Sequence, residues 1–144
     1  MKHKIGLFFG SFDPVHKGHL EVVNRLDSLN LNEIWFVVTP ENPFKKGKIV
    51  ASFQQRIEML SIAIAENRTP KRIIKICDLE AKLKAPYYTA NTLDYLTKNY
   101  PESKFHLIMG ADTFMSLYKG QPTSNLNLPL DATRQWYKKN YILE

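Results

Sequence analysis

The chain has 144 residues, 44% of them hydrophobic, and a formal net charge of +6. A single domain of that length buries about two-thirds of its unfolded surface, and that apolar content excludes wholesale disorder. Its one cysteine, Cys77, rules out an internal disulfide and the usual zinc clusters.

No run of about 18 apolar residues occurs, and the start lacks a signal-peptide core, so a cytoplasmic protein without membrane contact is the expectation. The positive charge suits an anionic ligand or nucleic acid alike. The absence of a basic stripe with interleaved aromatics points away from nucleic acid.

In chain order, Ile5–Phe9 reads as a buried strand and Leu20–Leu29 as a helix. Ile34–Val38 is continuously apolar, as a strand covered on both faces tends to be. Ser52 stands where a helix cap belongs, with Gln55 at the reciprocal position and Ile57, Leu60 and Ile64 as an inward stripe. Arg72–Ile76 reads as a strand, Tyr88–Tyr100 as a helix ended by Pro101, and Phe105–Met109 as a strand running into Gly110. Lys119–Ala132, with Gly120, Pro122 and Pro129, reads as a loop.

Strands and helices alternate without a hairpin signal, which predicts an α/β fold: a Rossmann-like open parallel sheet with helices on both faces. Ligands in such sheets bind beyond the carboxyl ends of the strands, where Gly10 and Gly110 would share one edge.

The first strand leads into the run Gly10-Ser11-Phe12-Asp13-Pro14-Val15-His16-Lys17-Gly18-His19. A strand, a small-residue turn and a helix start present unpaired backbone N–H groups to an anion. Histidines at i and i+3 share a helix face and add hydrogen bonds to the same phosphates, with charge available near neutral pH. The bland alternative is a turn made by Gly10 and Pro14, with histidines that only cap the helix.

The run resembles the H-x-G-H signature of the nucleotidylyltransferase superfamily. The resemblance implies that His16 and His19 contact the triphosphate of ATP and stabilise the transition state. Gly18 would let the nucleotide approach closely, and Ser11 and Phe12 would add backbone contacts beside Gly10. No residue need act as a nucleophile.

Three further blocks are similar to the nicotinate (or nicotinamide) mononucleotide adenylyltransferase branch. Thr39-Pro40-Glu41-Asn42-Pro43-Phe44-Lys45-Lys46 looks like its substrate loop, implying acceptor contacts from Asn42 and Lys45. The alternative for Lys45 is a solvated basic loop. Arg56 either reaches the same anions or faces solvent, and the sequence leaves both open. Tyr88-Thr89 resembles the pair near the pyridine ring, although capping alone would explain Thr89. Leu107-Ile108-Met109-Gly110-Ala111-Asp112 resembles the I-x-G-x-D segment that borders the nucleotide. Asp112 equally suits a helix start. Trp136 resembles the tryptophan that stacks on the nicotinate ring, or else it packs a helix onto the sheet.

The implied reaction joins ATP to a pyridine mononucleotide, with Mg²⁺ on the phosphates, as in NAD biosynthesis. Alternatives are pantetheine-phosphate adenylyltransferase, which shares the first motif, and a nucleotide-binding protein without turnover. Two departures from the branch stand out. Tyr118–Thr133 reads as an insertion, and no I-S-S-T-x-x-R segment follows before Glu144. That second departure predicts a missing fifth strand, an exposed sheet edge and room for pairing into a homo-oligomer.

Overall fold

The computed structural model describes residues 2–26, 29–40, 49–67, 72–83, 89–109 and 141–143. Strand β1 (His3–Gly10) leads to helix α1 (Lys17–Arg25), β2 (Glu33–Val38), α2 (Phe53–Glu66) and β3 (Ile73–Cys77). A short 3₁₀ turn (Leu79–Lys82), α3 (Thr89–Asn99), β4 (Ser103–Met109) and β5 (Tyr141–Leu143) follow.

The strands pair in parallel in the order β3-β2-β1-β4-β5. The chain therefore winds outward from β1 through β2 to β3, then crosses back to lay β4 on the other side of β1. That reversal opens a crevice at the carboxyl end of β1, the place where such sheets bind ligands. Gly10 is the last residue of β1.

Two apolar layers enclose the sheet, as anticipated. Ile5, Leu7 and Phe9 join Trp35, Phe105 and Leu107 beneath Leu93 and Leu96 of α3. On the opposite face Ile34, Phe36 and Val38 meet Val23 of α1 and Leu60 of α2. Every residue of β2 is buried, including Glu33. Burial opposes ionisation of Glu33, but contacts from Lys75, His3 and Trp35 outweigh it and bring its pKa down to about 2. A carboxylate placed among an ammonium, an imidazole and an indole N–H is tolerated where a lone one would not be.

Helix α2 starts as its sequence dictates. The Ser52 hydroxyl accepts the Gln55 N–H at 3.1 Å, and Gln55 Oε1 accepts the Ser52 N–H at 3.0 Å. Two elements depart from expectation. Helix α1 begins at Lys17 rather than Leu20, because His16 itself supplies the cap. A fifth strand is present: Tyr141, Ile142 and Leu143 pair in register with Leu107, Ile108 and Met109, so the expected bare edge of β4 is covered.

Candidate active site

The crevice floor is built by the turn after β1. A Cβ at Gly10 would sit 3.1–3.3 Å from the Phe12 ring, so glycine lets the chain fold back over that ring. Phe12 is buried with φ of 49°, a left-handed conformation unusual for an aromatic residue. Its ring meets Phe8, Phe36 and His19 edge-on, which fixes the wall against which His19 rests.

His16 and His19 close a capping box made of imidazoles. His16 Nδ1 accepts the Gly18 N–H at 3.1 Å, and His19 Nδ1 accepts the His16 N–H at 3.1 Å. An Nδ1 that accepts carries no proton, so each neutral ring holds its hydrogen on Nε2. The rings stack with centroids 3.7 Å apart and planes 23° apart. Burial first, and the neighbouring His16 second, push the pKa of His19 down to about 4. His19 is thus uncharged at neutral pH in the unliganded protein, where the sequence suggested ready positive charge. With no acidic side chain in the first turn of α1, two imidazole donors stand at an electropositive helix end.

Gly18 is needed for a reason the sequence did not show. A Cβ there would lie 2.9 Å from His16 Cε1 and 3.0 Å from Nδ1. The group packed closest to Gly18 is therefore the His16 ring.

Arg56 corrects both sequence expectations. Its side chain is 1% exposed, and its guanidinium donates to the Ser11, Thr39, Pro40 and Ala51 carbonyls at 2.8–3.2 Å. It is neither solvent-facing nor aimed outward at an anion, but braces three chain segments from within. Asp13 completes the brace by accepting the Val50 and Ala51 N–H groups at 2.7 and 2.9 Å, bonds that lower its carboxyl pKa.

Behind the end of β2 lies a further polar contact that the sequence did not disclose. Glu80 is fully buried, and its Oε2 accepts a 2.7 Å hydrogen bond from Thr92 Oγ1. Burial raises its pKa to about 7, while the Thr92 hydrogen bond and the Thr39 hydroxyl hold that rise back. Thr89 is the buried first residue of α3. Gly10, Ser11, Phe12, His16, Gly18, His19 and Arg56 are brought together around the end of β1. Asn42, Lys45, Tyr88, Gly110, Asp112 and Trp136 lie outside the described residues. Among the described residues, no group of three His, Cys, Asp or Glu side chains converges as a metal site. None of their helices is long and apolar enough to cross a membrane.

Comparison with known proteins places this geometry. The cytidylyltransferase-like family pattern matches residues 7–140. The chain belongs to the cytidylyltransferase-like family. A Flavobacterium johnsoniae protein named "Probable nicotinate-nucleotide adenylyltransferase" is 44% identical over 117 residues, covering 81% of this chain and 58% of the relative. A Cytophaga hutchinsonii protein of the same name is 46% identical over 110 residues, 76% of this chain and 55% of the relative. The chain thus spans well under two-thirds of the length of these relatives.

Among solved structures, Plasmodium falciparum nicotinic acid mononucleotide adenylyltransferase complexed with NaAD superposes with a TM-score of 0.73. The match covers 98% of this chain and 74% of that one at 20% identity, a likeness of fold. In this chain the histidine pair stands at the strand-order reversal, where α1 begins after β1.

Proposed function

We propose that the chain, as one nucleotidylyltransferase-like domain over residues 1–144, transfers the adenylyl group of ATP to nicotinate (or nicotinamide) mononucleotide. The observation that carries the transfer chemistry is the stacked His16–His19 pair, with both Nε2 hydrogens free of the capping bonds, at the N-terminus of α1. The choice of acceptor is supported by the names of relatives 44 and 46% identical to the chain.

In this reading a phosphate oxygen of the mononucleotide attacks the α-phosphorus of ATP. A new P–O–P bond forms, the α–β phosphoanhydride breaks, and pyrophosphate leaves with the bond electrons. Mg²⁺ arrives on the ATP phosphates as part of the substrate. His16 and His19 donate to the triphosphate, and the helix end offsets the charge that builds on the leaving group. Gly10, Ser11, Phe12 and Gly18 shape the ATP side, and Gly110 and Asp112 border the nucleotide. Asn42, Lys45, Tyr88, Thr89 and Trp136 serve the acceptor. Arg56 acts through the loops it braces and touches no substrate. The setting would be the cytoplasm.

The test is pyrophosphate release from MgATP with nicotinate mononucleotide, beside His19→Ala. Losing one aimed donor lowers kcat by about 10²–10³. Turnover unchanged in the variant, or no transfer to any nucleotide acceptor, would overturn the proposal. ATP binding without release would leave a nucleotide-binding role.

A further inference from the structure

Asp13 is a carboxylate placed where the proposed chemistry disfavours one. It lies in the turn that leads from β1 to α1, three residues ahead of the His16 cap. A negative charge there repels the triphosphate that the turn is shaped to receive. What Asp13 does is hold backbone from elsewhere. Its two oxygens accept the Val50 N–H at 2.7 Å and the Ala51 N–H at 2.9 Å, one donor to each oxygen.

Val50 and Ala51 stand immediately ahead of the Ser52 cap, at the entry to α2. Val50 is 92% exposed, so burial of its own side chain does not hold that entry in place. The Ala51 carbonyl accepts from Arg56 Nε at 3.2 Å, within the same helix start. The end of β2 is fixed separately. The Thr39 N–H donates to the Gly10 carbonyl at 2.9 Å, and the Pro40 carbonyl accepts from Arg56 Nη2 at 2.9 Å. The two ends of the connection from β2 to α2 are thus anchored by different groups, and among the described residues Asp13 serves only the second. In sequence, Asn42 and Lys45 fall between those anchors.

We infer that Asp13 is a positioning residue for the acceptor: from the turn after β1 it pre-sets the entry to α2, and with it the far end of the acceptor segment. The inference rests on the proposed function, in which Asn42 and Lys45 serve the mononucleotide. A segment anchored at both ends has less freedom left to lose on binding, and the smaller ordering cost appears as affinity. Without Asp13 the mononucleotide must order that end itself. The loss then falls on the acceptor's Kd and KM rather than on kcat, because the bound state is the same once formed. ATP responds in the opposite sense, since its turn has lost a repelling charge.

The experiment measures binding of nicotinate mononucleotide and of MgATP to Asp13→Asn and Asp13→Ala by calorimetry, with steady-state kinetics beside it. The expected result is a mononucleotide Kd and KM raised about tenfold in both variants, with kcat within about twofold and the MgATP Kd unchanged or lower. A third readout needs no ligand: the Val50 and Ala51 amide proton signals, held downfield by the carboxylate, move upfield in both variants. A general loosening of the fold would weaken both nucleotides together. That parallel weakening, a mononucleotide affinity within about twofold of the unaltered chain's, or unmoved amide signals would each overturn the inference. If the unaltered chain binds no mononucleotide, the proposed function fails and the acceptor role with it, while the amide signals still decide the anchor. Should Asp13→Ala fail to fold, the near-isosteric Asp13→Asn decides alone.

Discussion

His19 is shadowed by His16: the two rings lie face to face, so a proton on His16 raises the cost of one on His19. His19 is held neutral until an anion arrives. A triphosphate beside the rings reverses that balance by favouring the charged form. Binding of MgATP should therefore take up protons, increasingly as the pH falls from 7 towards 5. Calorimetry in buffers of different ionisation enthalpy measures this uptake, and His19→Gln should abolish most of it.

Gly18→Ala should separate stability from activity. Alanine is the better helix former by up to about 1 kcal/mol, which favours α1. The added methyl meets the His16 ring at 2.9–3.0 Å and must push it off its cap. The expected outcome is a Tm shifted by no more than a few degrees, the helix propensity gained offsetting the cap lost, with kcat/KM lowered about tenfold or more. A variant as active as the unaltered chain would show that the ring has another place to rest.

Glu80 and His19 titrate against each other. In the folded chain Glu80 is raised from 4.5 to about 7, so its contribution to stability is complete below pH 4.5 and is lost as the pH rises through 7. His19 is lowered from 6.5 to about 4, so its contribution is complete above pH 6.5 and is lost as the pH falls through 4. The two slopes oppose each other over nearly one window. Urea midpoints should be almost flat between pH 5 and 7 in the unaltered chain, turn acid-sensitive in Glu80→Gln, and turn alkali-sensitive in His19→Gln. Parallel profiles for all three proteins would refute the assignment.

Ser52→Ala removes half of the capping box that starts α2, the helix carrying Arg56. The expected cost is about 1 kcal/mol, read as a Tm lower by roughly 3 °C for a chain of this size. Retention of the full Tm would mean that the helix start is held by its tertiary contacts alone.

What the sequence disclosed, and what it withheld, divide along physical lines. Alternation of apolar runs with amphipathic stretches disclosed β1 to β4 and the three helices, because periodicity reports which face is buried. Local chemistry was equally legible: Ser52 and Gln55 are three residues apart, and their mutual bonds are what that spacing implies. The histidine pair was visible for the same reason. Arg56 was not, since its partners Ser11 and Thr39 lie 45 and 17 residues away and are backbone carbonyls, which have no letter in a sequence. Glu80 looks like any surface acid until Thr92 and Thr39 are seen to enclose it. Strand β5 is three residues long, too short for any period to declare itself.

At position 16 one side chain serves two masters. Asparagine, aspartate and serine are the favoured helix caps, and histidine is not among them. Any of the three would start α1 at least as well as the imidazole does, and aspartate would also gain from the helix dipole. The same carboxylate would repel the anion for which the helix end is suited. Selection for a sturdier fold and selection for phosphate chemistry therefore pull in opposite directions at this residue. A screen of position 16 for thermal resistance alone should return proteins that are more durable and chemically silent.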